Sequence, residues 1–185
     1  MLLVFTALFA LVFGSGCHTA TVKLQSNKDA AAVRPIKRLY VVVDLTVPTT
    51  QQLAKNPKLR LKSDMLVASL MNSLTNTPLK IEYGAASPLQ LNANYDVNIA
   101  NFYADAVLLV KINNCVIDNF GGCWKVFYQA DLYDEITHKT VWRAFIDCHG
   151  DPVTVDEGMQ KMANAVVKQL RADGFIESKQ AGSAN

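Results

Sequence analysis

Three successive stretches decide the fold: AVLLVKINNCV (106–116), WKVFYQADLY (124–133) and TVWRAFIDC (140–148). In the first, Ala106, Leu108, Val110, Ile112 and Val116 share one parity, and Lys111, Asn113 and Cys115 the other. In the second, Trp124, Val126, Tyr128, Ala130 and Leu132 oppose Lys125, Gln129 and Asp131. In the third, Trp142, Ala144 and Ile146 oppose Arg143 and Asp147. Side chains alternate across a strand, so a period of two marks a strand with one buried face. Asp118 to Gly122 and Glu135 to Lys139 have turn composition. The three strands therefore form an antiparallel meander. Such a sheet cannot bury its own apolar face, and helices with apolar stripes must cover it.

Those helices lie on both sides of the meander in sequence. Downstream, Val155, Met159, Met162, Ala163, Val166, Val167 and Leu170 trace one helical stripe, with Gln160, Lys161, Asn164 and Lys168 opposite. Thr154 and Glu157 have capping-box spacing at its start, and Gly174 supplies the stop. Upstream, Tyr95 to Phe102 reads as a short helix and Leu79 to Tyr83 as a short strand ended by Gly84. A helix over Leu59 to Leu74 repeats Val67, Leu70, Met71 and Leu74 on one face, and Pro78 bars its continuation. The nearly unbroken run Leu39 to Leu45 predicts a strand buried on both faces. The order is β-α-β-α-β-β-β-α. The expected fold class is α/β (α+β): a two-layer sandwich whose mixed sheet includes the meander, forming a single domain over residues 36–176.

With 185 residues, half of them hydrophobic, the chain can build one real core. A formal charge of +2 and no long run of like charge exclude the electrostatic footprint of a nucleic-acid binder. Residues 1–13 are uncharged and apolar, too short to span a bilayer but long enough for a signal-peptide core. Gly14, Ser15 and Gly16 then precede Cys17, and this resembles a bacterial lipobox, in which that cysteine is acylated. It departs from the pattern at Gly14, where Leu is usual, and in lacking N-terminal basic residues. The alternative is an ordinary secretory signal and a secreted or soluble periplasmic protein. His18, which is not Asp, implies sorting to the outer membrane by the same resemblance. Residues 1–16 are thus expected to be a signal peptide. Residues 17–35 are polar and Ala-rich and are expected to be a lipidated flexible tether of about 60 Å when extended. Residues 177–185 are expected to be a disordered tail.

The run Tyr103 to Val110, the segment Lys139 to Ala144 after Tyr133-Asp134, and the close Val166 to Phe175 carry a resemblance. They resemble small periplasmic lipoproteins with a domain like the N-terminal domain of TolB, a group that includes the penicillin-binding-protein activator lipoprotein and the curli secretion lipoprotein. The resemblance implies fold and envelope address and transfers no functional residue.

Outside the cytoplasm the remaining thiols can oxidise. Cys115 and Cys123 flank the Gly121-Gly122 turn on the parity away from the core. A Cys115–Cys123 staple is expected, with Cys148 buried and free; a Cys123–Cys148 bridge and three reduced thiols are the alternatives. No C-x-x-C, H-x-x-x-H, G-x-S-x-G or Gly-rich phosphate loop occurs, so no metal, no cofactor and no catalytic residue is expected. The functional hint is a surface. Lys111, Lys125, Phe127, Tyr133, Arg143 and Phe145 fall on the meander face away from the expected helices, the aromatic and arginine mixture of a protein-binding patch. The expected role is a non-catalytic lipoprotein that docks onto an envelope partner. An oligomeric subunit of a secretion or transport assembly is the alternative, and a periplasmic enzyme comes third.

Overall fold

The computed structural model describes residues 20–44, 57–75, 77–85, 95–117, 123–149 and 156–177. The leader, Cys17, Thr154 and the tail beyond Glu177 lie outside them. The strands are β1 (Thr21–Lys28), β2 (Arg38–Asp44), β3 (Lys80–Ala85), β4 (Ala106–Ile117), β5 (Cys123–Asp134) and β6 (Lys139–His149). The helices are α1 (Pro57–Leu74), α2 (Tyr95–Phe102) and α3 (Asp156–Ala172), with a 3-10 turn at Ala30–Ala32.

The fold is α+β, with one six-stranded mixed sheet of order β1-β6-β5-β4-β2-β3. β3, β2 and β4 run parallel, while β4, β5, β6 and β1 are antiparallel. The chain steps outward from β2 to β3, then back across β2 to β4. Right-handed crossovers in opposite directions put their helices on opposite faces. Accordingly α1 packs with α3 over one face, and α2 lies on the other.

The main core sits between the sheet and the α1–α3 layer. Leu66, Leu70 and Leu74 of α1 and Met159, Met162, Ala163, Val166, Val167 and Leu170 of α3 meet Leu108, Val110, Leu132, Trp142, Ala144 and Ile146. Leu39, Val41 and Val43 point into this core, while Tyr40 and Val42 join Val107 in a smaller cluster on the opposite face. β2 is buried on both sides for that reason.

Two elements differ from expectation. Of the expected tether at 17–35, residues 17–19 lie outside the described residues, and the described part, 20–35, is not a flexible leash: β1 pairs with β6 from Thr21–His149 to Lys28–Trp142. Val22 and Leu24 are partly buried against the core, and the intervening Lys23 and Gln25 are exposed. This short alternation suits an edge strand with one partner. β4 carries a bulge between Ile112 and Asn114. The extra residue reverses the side-chain parity beyond it. Val116, placed with the core by simple alternation, is exposed, and Cys115 occupies a register position opposite the buried Val126. Smaller differences lie in boundaries: α1 begins at Pro57, and β3 runs through Gly84 to Ala85.

The N-terminal strand is clasped to the end of α3. Asp173 Oδ2 accepts hydrogen bonds from Trp142 Nε1 (2.8 Å), Ser26 Oγ (3.1 Å) and Gln169 Nε2 (3.1 Å). Lys28 Nζ lies 3.3 Å from Asp173 Oδ1. Burial pushes the Asp173 carboxyl upward, but the four donors outweigh it and hold the group below the usual carboxylate range. Gly174 closes the helix with φ +90°, its N–H bonded to the Arg171 carbonyl and that of Phe175 to the Leu170 carbonyl. The turn seats Phe175 and Ile176 in the core, and Phe175 returns a carbonyl to the N–H of Ile36.

Candidate functional site

α2 covers only part of its face. Ile99 and Phe102 pack on Tyr40, Val42 and Val107, and the Tyr40 and Phe102 rings meet edge to face at 6.1 Å. Arg38 lies 4.8 Å over the Phe102 ring and donates to the Phe102 carbonyl. Beyond α2, none of the described helices packs on this face of β4, β5, β6 and β1.

All six candidates for the docking patch lie on this side, but they are not equivalent. Asp131, which is buried, is the hub. Arg143 Nε donates to its Oδ1 at 2.5 Å, Gln129 Nε2 to its Oδ2 at 2.6 Å, and Lys111 Nζ stands 4.0 Å away. Asn113 Nδ2 donates to Gln129 Oε1 at 3.0 Å, extending the chain across β4, β5 and β6. The hydrogen bond and negative charge of Asp131 raise the pKa of the Arg143 guanidinium. Lys125 Nζ is paired with Asp147 Oδ2 at 3.1 Å and sits 4.8 Å over the Phe127 ring. The cations are therefore neutralised locally and held in fixed positions. Phe127 is half-buried beneath Lys125, whereas Phe145 is 53 % exposed and forms the apolar high point of the face.

Tyr133 belongs to a second feature. A cleft of about 640 Å³ opens between α2 and the β5–β6 turn, floored by Val42, Val107 and Leu109 and flanked by Tyr103, Tyr133 and His138. Tyr103 and His138 both have positive φ, at 53° and 55°. Asp134 fixes the β5–β6 turn: its Oδ1 accepts from the N–H groups of Ile136 and Thr137, and its Oδ2 pairs with Arg34 at 2.9 Å. Burial pushes the Asp134 carboxyl up, yet those N–H groups and Arg34 bring it below the usual range. Sequence reasoning missed the cleft, because its walls come from five separate elements and have no local pattern.

Of the thiols, the structure places that of Cys148. Cys148 is buried and free, and burial, reinforced by the charge of Asp147, pushes it up to about 12. The register sets Cys115 opposite Val126 and Cys123 opposite Ile117, so the two are not facing neighbours; their side chains lie outside the described residues. His149 Nδ1 and Asp147 Oδ1 are 3.7 Å apart, too far for a hydrogen bond. Among the described residues no His, Cys, Asp and Glu side chains converge as a metal site, and no helix is long and apolar enough to cross a membrane.

No protein-family description matches the chain, and no curated sequence does. The fold is similar to that of the PelC dodecamer from Paraburkholderia phytofirmans, with a TM-score of 0.50 at 14 % identity over 85 % of this chain and 100 % of that one. The lipoprotein GNA1162 from Neisseria meningitidis aligns with a TM-score of 0.42 at 17 % identity, over 74 % of this chain and 99 % of that one. At 14 % identity the likeness to the PelC protein is one of fold alone.

Proposed function

We propose that this chain is a non-catalytic lipoprotein of the bacterial envelope, held by an acyl group on Cys17 at the periplasmic face of the outer membrane. It works by docking a protein partner on the open face of its sheet. The observation that supports this most is the composition of that face. Phe145 protrudes from a surface whose charged neighbours, Arg143, Asp131 and Lys111, are already paired. An exposed aromatic anchor gains from being covered, and a charge already paired is less costly to cover than an unpaired one. No reactive group is needed for such a task.

The second reading is a homo-oligomer, favoured by the fold likeness to a protein that forms a dodecamer. The same experiment separates them. A photo-cross-linking residue in place of Phe145 is expected to capture one partner protein in membranes, and Arg143→Ala is expected to weaken that capture. Adducts only between copies of the chain would establish the second reading. No adduct above background would refute docking on this face.

A further inference from the structure

The expected tether is consumed by the fold, and this fixes how the domain meets its membrane. Ala20 is already buried, in contact with the space lined by Tyr128, Cys148, Met159 and Met162. Only His18 and Thr19 separate it from Cys17. Three Cα–Cα steps reach at most about 11 Å. The polar layer of one leaflet is itself about 5–8 Å thick. The end of the domain that holds Ala20 therefore stays within, or about 3–6 Å outside, the headgroup region of an acylated chain.

The register says which end this is. Thr21 lies beside His149, His149 beside Lys125, and Lys125 beside Val116. Val116 is an exposed aliphatic residue at the outer reach of the β4–β5 pair, brought to the surface by the bulge. The opposite end of the sheet carries Ala106, Asp134 and Lys139 in register, with the exposed Ile136 in the turn beyond. Ten residues of β4 separate the ends, or about 33 Å at strand rise.

We infer that the row Thr21–His149–Lys125–Val116 lies against the surface of the bilayer that holds the anchor. The domain stands end-on, without a flexible leash. The β5–β6 turn, with Glu135 and His138 of the cleft, points about 30 Å into the periplasm. The open face then runs along the membrane normal, accessible to a partner that approaches sideways. This rests on the acylated Cys17 proposed above.

The test uses the full chain in cells, with a photo-cross-linking residue at Val116 or at Ile136. Both replace exposed side chains, so neither variant disturbs the core. Phospholipid adducts are expected at Val116 and only background at Ile136. Inserting about a dozen Gly and Ser residues between Thr19 and Ala20, a random coil with a span of roughly 20 Å, is expected to reduce the Val116 adduct markedly. Labelled fatty acid on Cys17 is read in the same samples. Equal adducts at both positions on acylated protein would overturn the orientation while leaving the anchor intact. Absence of the acyl group would overturn the anchor and the orientation with it.

Discussion

Removing the carboxylate of Asp173 is expected to loosen β1 and destabilise the whole domain. Asp173→Ala strips the indole N–H of Trp142, a residue that is 1 % exposed, of its 2.8 Å partner. A buried donor left unsatisfied costs about 1–3 kcal/mol. Ser26 and Gln169 lose bonds at part-buried positions where water can substitute, adding roughly 0–1 kcal/mol. The Lys28 pair is more than a third exposed on the lysine side, so solvent screening leaves it only a few tenths of a kcal/mol, about 0.3. The sum is about 1–4 kcal/mol, against the ~5–15 kcal/mol that holds a domain folded. Equilibrium urea denaturation followed by circular dichroism is expected to show the midpoint falling by about 0.5–2 M. Amide exchange is expected to accelerate first in Thr21–Lys28. Asp173→Asn keeps an acceptor for the indole and is expected to lose less. The folded-state pKa of Asp173 is depressed, so its contribution is complete above the unfolded carboxylate pKa. It is lost as pH falls through the lower folded value, and Asp173→Asn is expected to flatten that acid limb. A loss below ~0.5 kcal/mol for Asp173→Ala, with β1 exchange unchanged, would refute the clasp.

Gly174→Ala forces a side chain to φ +90° and sets its Cβ 2.9 Å from Val33 Cγ1; a destabilisation of about 1–3 kcal/mol is expected in the same urea assay. Cys148 is expected to resist thiol reagents at pH 8 in the folded protein and to react fully in denaturant, since burial holds it protonated up to about 12. Phe145→Ala is expected to leave stability within ~0.5 kcal/mol of wild type, because the ring is half in solvent, while weakening partner capture in membranes.

The parts of the fold legible from sequence are those whose period is local and repeated. Trp142, Ala144, Ile146 and Cys148 all lie on the buried parity, and the α3 stripe from Met159 to Leu170 is buried throughout. β1 escaped because only Val22 and Leu24 break a polar stretch, and its pairing with β6 depends on a clasp to Asp173, nearly 150 residues away in the chain. The β4 bulge escaped because Asn113-Asn114 gives no sign of which asparagine is extra, and one slipped residue reverses Val116. On the open face, alternation placed Arg143, Phe145, Lys111 and Lys125 correctly. It could not reveal that Asp131 gathers two of those cations, since that pairing depends on strand register. The cleft under α2 depends on the crossover that brings Ile99 and Phe102 over β2, which is a tertiary fact.

On the function proposed above, a lipid on Cys17 places this docking domain at a membrane. The direct test is the mass of the N-terminal peptide from protein extracted from cell membranes. The expected peptide begins at Cys17 and carries a diacylglyceryl group. A peptide beginning at Met1, or a mature chain whose Cys17 is absent or unmodified, would contradict it.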